Sequence, residues 1–243
     1  MPHGEKLYEG KAKILYATDH PDKVIQYFKD DATAFNAQKR GTIVDKGVVN
    51  NKISAHLFQV LERAGIATHF VKQLSDREML VKRLQIIPLE VTMRNIVAGG
   101  MAKMLGLEEG IVLKPPVFEW HYKSDALNDP LINDDHIFTL GAATTAELEH
   151  IRAQSRRVND TLKAYFLQRG IDLVDFKLEF GRHKGTILLG DEISPDTCRF
   201  WEQGTRRKLD KDRFRRDLGD VEAAYQEMLR RVVGDERVAA RSA

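Results

Sequence analysis

A mixed α and β protein is the fold class this sequence predicts, and three observations carry it. The opening third is rich in short strand patterns. Two longer stretches, over residues 49–61 and 148–166, repeat apolar residues at helical spacing, and residues 174–181 alternate apolar with charged side chains as a half-buried strand does. With 243 residues and 42% hydrophobic content, the chain can bury a substantial core, as one large domain or as two lobes.

In chain order, residues 7–16 read as strand, turn, strand, with the turn at Glu9-Gly10-Lys11, and residues 24–28 and 68–74 add short strands. Val49, Ile53, Leu57, Val60 and Leu61 mark an amphipathic helix that stops at Gly65, a natural residue just past a helix end. Residues 79–84 and 89–97 read as strands separated by Pro88, and Gly99-Gly100 precedes a short helix ending near Gly106. Residues 114–135, rich in Pro, Asp and Asn, read as a connection. Thr144 and Glu147 form a capping-box signature, and Leu148, Ile151, Val158, Leu162 and Phe166 carry a long helix toward Gly170. From Asp210 onward the pattern is helical, with Val221, Tyr225, Met228, Leu229 and Val232 as the buried stripe.

Composition removes several function classes. Charged residues make up 30% of the chain but nearly cancel at +2, so no global field favours nucleic acid. One cysteine, Cys198, excludes an internal disulfide framework and a Cys-rich zinc site, and fits a reducing compartment, so the cytoplasm is expected. The first residues carry no apolar signal region, and no run approaches the ~18 apolar residues of a membrane span. The histidines show no His-Glu-x-x-His spacing, and no Gly-x-Ser-x-Gly elbow supports acyl-enzyme chemistry.

The chemistry concentrates in residues 174–196. Alternation turns Val174, Phe176, Leu178 and Phe180 toward a core and sets Asp175, Lys177 and Glu179 on the opposite face. A hairpin through residues 181–185 returns along 186–189 and delivers Asp191 beside that charged row. A symmetric five-residue loop would set Glu179 opposite Ile187 and Asp191 opposite Asp175. That arrangement leaves Glu179 and Asp191 on the order of 13 Å apart unless a bulge or register shift intervenes. Two carboxylates around a lysine suit Mg²⁺ and phosphate, the alternative being a solvated face of ion pairs. Lys11 and Lys13 follow Gly10 at i and i+2, so both ammonium groups project to one side of a tight turn that can close over phosphates, the alternative being an ordinary exposed hairpin. Neither a P-loop nor a dinucleotide motif is present. Arg94 followed by Gly99-Gly100 makes a candidate anion site, the alternative being a surface strand and turn. Arg199 and residues 211–216 add cations, but their interleaved aspartates argue against a nucleic-acid stripe.

Taken together, these motifs resemble the SAICAR synthetase family of purine biosynthesis. The residues that carry the likeness are Tyr8-Glu9-Gly10-Lys11-Ala12-Lys13, Lys46-Gly47, Asn50-Asn51-Lys52-Ile53-Ser54, Ile87-Pro88-Leu89-Glu90, Arg94-Asn95, Asp129-Pro130, residues 175–181 and residues 191–199. The resemblance implies an N-terminal, mainly antiparallel β lobe (1–84) joined to a larger mixed α/β lobe (85–243), an α+β fold with ATP in the cleft between them. It implies ATP-dependent condensation of carboxyaminoimidazole ribonucleotide with L-aspartate through an acyl phosphate. By motif position, Gly10, Lys11, Ala12, Lys13 and Lys82 would hold ATP, and Glu179 and Asp191 would hold Mg²⁺. Lys177 would stabilise developing charge. Asp175, counted with Lys177 as catalytic, would with Asp129 contact the aminoimidazole or ribose. Arg94 and Arg199 would grip the ribonucleotide phosphate, with Gly100, Lys211 and Arg215 nearby. The expected partners are these small molecules, with neither nucleic acid nor membrane, and homo-oligomeric assembly is left open. One departure stands out: the family reads Ala-Gly-Ser where this chain has Ala98-Gly99-Gly100, which removes a hydroxyl from the phosphate contact. A small-molecule kinase, and a catalytically silent nucleotide binder motivated by Gly100, are the competing functions.

Overall fold

The strand patterns of the opening third close into one antiparallel sheet. In the computed structural model, which describes residues 3–34 and 39–234, this sheet contains β1 (Lys6–Glu9), β2 (Lys13–Ala17), β3 (Lys23–Phe28), β6 (Phe70–Gln73) and β7 (Glu78–Lys82) in the order β1-β2-β3-β7-β6. A separate hairpin of β4 (Asp31–Ala34) and β5 (Lys39–Thr42) lies between β3 and helix α1 (Lys46–Arg63). The sequence reading did not include it. Helix α1 buries Val49, Ile53, Leu57, Phe58 and Leu61. Past its C-terminus Gly65 takes φ 75°, the left-handed conformation that spares a Cβ penalty.

The second sheet contains β8 (Gln85–Ile96), β9 (Val112–Tyr122), β10 (Leu131–Ile132), β11 (Ile171–His183), β12 (Thr186–Leu189) and β13 (Cys198–Glu202). Its order is β10-β9-β8-β11-β12, with β13 also on β11. Helix α2 (Gly99–Leu105) follows β8, α3 (Asp134–Thr139) follows β10, and α4 (Thr145–Leu167) packs across β11 behind the expected Thr144–Glu147 capping box. A one-turn helix α5 (Asp212–Arg215) leads to α6 (Val221–Val233), which packs on α1. One apolar cluster runs through both sheets, from Phe28, Leu57 and Val81 to Phe176, Phe200 and Tyr225. The sheets also share backbone bonds. Leu189 N–H donates to Ala67 O at 3.1 Å, and His69 N–H donates to Leu189 O at 2.8 Å.

Four sequence expectations need correction. Pro88 does not divide two strands: β8 runs through it, and the pairing with β11 jumps from Glu179↔Glu90 to Gly181↔Ile86, so the proline sits in a bulge that needs no N–H. Residues 114–135 are not merely a connection, because β9 occupies 112–122. Its Pro115-Pro116 falls within the irregularity between the Arg94↔Val117 and Ile96↔Val112 pairs. Val174 does not join the main core; β11 bulges between Leu173 and Asp175, and Val174 packs with Ala98 and Trp201 in a small cluster of their own.

The fourth correction concerns register. The β11–β12 turn is two residues, Lys184 (φ 48°) and Gly185 (φ 79°), in the double positive-φ geometry that matches strand twist. Phe180 therefore pairs with Leu189 and Arg182 with Ile187, so Glu179 does not oppose Ile187 and Asp191 does not oppose Asp175.

Gly47, in the first turn of α1, donates its N–H to Asp30 Oδ1 at 2.8 Å. A Cβ there would lie 2.4 Å from the Phe28 carbonyl oxygen, and backbone of β3 cannot move aside. Gly47→Ala is expected to destabilise the protein by about 2 kcal/mol or more in chemical denaturation, whereas Gly100→Ala, whose Cβ would meet nothing within 4 Å, should stay within about 0.5 kcal/mol of wild type.

Candidate active site

The site is built where one edge of β11 changes partner. Along that edge β13 pairs as far as Phe176↔Cys198, and β12 pairs from Phe180↔Leu189. Between them the ladder is held by Lys177 N–H donating to Thr197 O (3.0 Å) and Gly190 N–H donating to Glu179 O (2.9 Å). The intervening residues 191–197 loop out over the charged face. Asp191 leaves the ladder at φ 58°, a conformation aspartate tolerates, and this turn brings it to Glu179. Strict continuation of the register would have aligned it with Leu178, on the core side. Ser54 of α1 pins the loop: its Oγ donates to Ile193 O at 3.1 Å and accepts from Ile193 N–H at 3.2 Å.

A cavity of about 980 Å³ opens over this loop. Its wall brings together Gly10, Lys11, Ala12 and Lys13 from the first sheet with Asp129, Lys177, Glu179, Asp191, Lys211 and Arg215. Lys13 Nζ bonds to Asp191 Oδ1 and lies 3.0 Å from Glu192 Oε1, so the first hairpin is tied electrostatically to the far loop. Lys11 Nζ reaches Asp125 Oδ1 at 2.6 Å across the cavity mouth. Lys177 Nζ pairs with Glu90 Oε1 at 2.5 Å, and Lys123 Nζ bonds to Glu179 Oε1.

Glu179 and Asp191 titrate as neighbours. Burial, and then the negative charge of Asp191, push the Glu179 carboxyl up to about 7, with Lys123 only partly offsetting them. Asp191 is held below its ordinary range because Lys13 and Lys123 outweigh the burial that opposes its ionisation. Against its own desolvation, Lys13 is raised by Asp191 and then by Glu192. Two half-buried carboxylates that share Lys13 and Lys123 with Glu192 fit a divalent cation. Among the described residues no three His, Cys, Asp or Glu side chains converge as ligands, so such an ion would complete its shell with substrate phosphate oxygens and water.

Arg94, Asp175 and Arg199 lie beside the cavity rather than on its wall. Arg94 Nη1 donates to Asp175 Oδ2 at 2.8 Å, and Arg199 Nη1 donates to both Asp175 oxygens at 2.8 and 2.9 Å. Lys82 stands apart, its ammonium donating to the Thr68 carbonyl at 3.0 Å. Asp129 takes φ 46° and accepts the Ser124 N–H at 2.8 Å, which spends one carboxylate oxygen on its own loop. Cys198 is buried, and burial raises its thiol, so it is no nucleophile.

The SAICAR synthetase family profile matches residues 6–232. The chain belongs to the SAICAR synthetase family. It is 59% identical over 234 residues to phosphoribosylaminoimidazole-succinocarboxamide synthase of Clostridium acetobutylicum, covering 96% of this chain and all of the relative. The crystal structure of the enzyme of that name from Ehrlichia chaffeensis superimposes with a TM-score of 0.93 at 46% identity, covering 95% of this chain and 99% of that one. A SAICAR synthetase solved in complex with ADP superimposes with a TM-score of 0.91 at 48% identity, covering 94% and 97%.

Against this family background the Gly99-Gly100 turn gains a physical reading. Gly99 has φ 55°, and a Cβ on it would lie 2.5 Å from Arg199 Nη2, so the arginine needs a glycine there. Gly100 has open space around its Cβ position, so a side chain there would start without a clash. Sequence reasoning missed Lys123, which becomes visible only once residues 112–122 are read as a strand delivering it to Glu179. It also left unassigned Lys46 and Asp196, both inside quoted motifs. Lys46, with no exposed surface, donates to Asp196 Oδ2 at 2.8 Å, and Tyr225 of α6 donates to Asp196 Oδ1 at 2.7 Å.

The raised Glu179 carboxyl makes a pH-dependent prediction. The folded protein holds a proton that the unfolded chain releases from about pH 4.5, so this group's contribution is fully present below that pH and is lost as pH rises through about 7. Glu179→Gln should therefore match wild type near pH 5 and melt at least about 3 °C higher at pH 8, measured by calorimetry without ligands. An equal shift at both pH values would contradict it.

Proposed function

We propose that this protein condenses the carboxylate of carboxyaminoimidazole ribonucleotide with L-aspartate, consuming ATP and releasing SAICAR, ADP and phosphate. The observation that carries this reading is the Glu179–Asp191 pair, set beside Lys177 and met by Lys13 from the opposite sheet across one cavity. Family membership and the ADP-bound relative support nucleotide use.

A carboxylate is a poor electrophile. In the reading proposed here its oxygen attacks the γ-phosphorus of ATP and ADP leaves; the amine nitrogen of aspartate then attacks the acyl carbon, phosphate leaves and the amine loses its proton. Such a transfer depends on positioning and charge neutralisation more than on covalent help. Lys11 and Lys13 would hold the ATP phosphates, Lys177 the charge developing between donor and acceptor, and Arg94 with Arg199 the ribonucleotide phosphate. Glu179 and Asp191 would hold Mg²⁺, which when bound neutralises phosphate charge. With a single buried cysteine and no described helix long and apolar enough to cross a membrane, we place the reaction in the cytoplasm.

The first test follows ADP release with Mg-ATP and the ribonucleotide, with and without L-aspartate, while the amide is assayed in parallel. Aspartate-dependent ADP release matched by amide is expected; ADP release with a stable phosphorylated product and no amide would instead mark a kinase. Asp191→Asn should lower turnover at least about 100-fold with the fold intact, because it removes a charge from the metal site. Lys177→Met should lower kcat more than it raises the KM for ATP, and a pure KM effect would remove its role in the transfer step.

A further inference from the structure

From behind the cavity out to its wall, six side chains from five elements alternate in sign: Glu119, Arg94, Asp175, Arg199, Asp212 and Arg215. Arg94 donates Nε to Glu119 (2.8 Å) and Nη1 to Asp175 (2.8 Å). Arg199 repeats the pattern, donating Nε to Asp212 (2.9 Å) and Nη1 to Asp175. Each guanidinium is thus held at two corners by two carboxylates from different strands or helices, and each keeps Nη2 for another partner. A planar fork held at two corners by separate anions has little torsional freedom left. The Nη2 of Arg199 points at Gly99, beside the turn that carries Gly100.

Asp212 has a second load. Its Oδ1 accepts from Arg215 Nη1 at 2.6 Å, and Arg215 lines the cavity, so one carboxylate 1% exposed joins Arg199 to the wall. Its placement is fixed through the backbone as well. Asp210, fully buried, accepts the Phe200 N–H on Oδ2 and the Asp212 N–H on Oδ1, each at 2.7 Å, which staples the start of α5 to the residue after Arg199.

We propose that Asp212 is a positioning residue for the ribonucleotide phosphate, holding Arg199 and Arg215 as one unit whose remaining N–H groups receive that anion. This rests on the function proposed above. Two opposing effects give the idea a sign. A carboxylate near an anion site repels the incoming phosphate, so a mere counter-ion should weaken substrate binding, and its neutralisation should tighten it. A positioning carboxylate does the reverse, because its loss frees both arginines.

The experiment compares wild type with Asp212→Asn and Asp212→Glu in steady-state kinetics, varying ribonucleotide, ATP and L-aspartate in turn, alongside thermal midpoints. For Asp212→Asn we expect the ribonucleotide KM to rise about tenfold or more with a lower kcat. The KM for ATP should stay within about twofold, and Asp212→Glu should recover much of the loss because it restores the charge. A ribonucleotide KM that is unchanged or lower would overturn the proposal in favour of a simple counter-ion. A parallel rise in all KM values with a falling midpoint would reduce Asp212 to a fold residue. Should Asp212→Asn fail to fold, Asp210→Asn loosens the same staple without touching an arginine partner. It should raise the ribonucleotide KM selectively, and an unchanged value would count against the proposal. If wild type forms no amide, the proposed reaction fails separately. Thermal protection by ribose 5-phosphate then reads the anion site directly, with weaker protection of Asp212→Asn expected and equal protection contrary.

Discussion

The site depends on one constraint: a single edge of β11 must serve two partner strands. Where β13 ends its pairing and β12 begins, the central strand would leave backbone groups unpaired in a buried setting, which costs free energy. The chain meets this with two cross-loop bonds, Lys177 N–H to Thr197 O and Gly190 N–H to Glu179 O, and uses the gap to project residues 191–197 over the polar face. Because the loop is anchored at both ends and pinned by Ser54 in the middle, its carboxylates are placed by the scaffold rather than by a mobile excursion.

Two charge clusters flank that gap, and they are balanced differently. Around Glu179 and Asp191, with Glu192 beside them, three carboxylates share the two ammonium groups of Lys13 and Lys123. Around Arg94 and Arg199 each cation already has carboxylate partners. The first cluster is short of a cation; the second is a neutral frame whose outward N–H groups can still meet an anion. A net charge of +2 over the chain reports neither, because the relevant imbalance is local.

Much of this was legible from residues alone. The two long helices and α6 came through because apolar spacing, Gly65 and the Thr144–Glu147 box agree, and α6 buries Tyr225, Met228 and Val232 from its expected stripe. The charged row of β11 was visible for the same reason of periodicity. The hairpin was visible too, but its register was not, because Gly181 to Gly185 offers several loop lengths, and only cross-strand packing chooses the two-residue turn at Lys184-Gly185. Strand β9 was hidden by its prolines, which are tolerated where its pairing is irregular. The partners of Glu179 and Arg199, Lys123 and Asp212, were illegible because neither sits in a motif with a spacing of its own. Long-range pairing alone brings them in.

The register of β12 has a further consequence. From Lys184-Gly185 to Gly190 the chain counts off four paired residues and then releases Asp191 beside Glu179. Most side chains of that strand could be exchanged for others of similar size without altering the count. Deleting or inserting one residue between the turn and Gly190 would rotate the exit of the loop to the opposite face of the sheet. Point substitution and length variation therefore carry very different risk here, and the hairpin should tolerate drift in letters far better than drift in number.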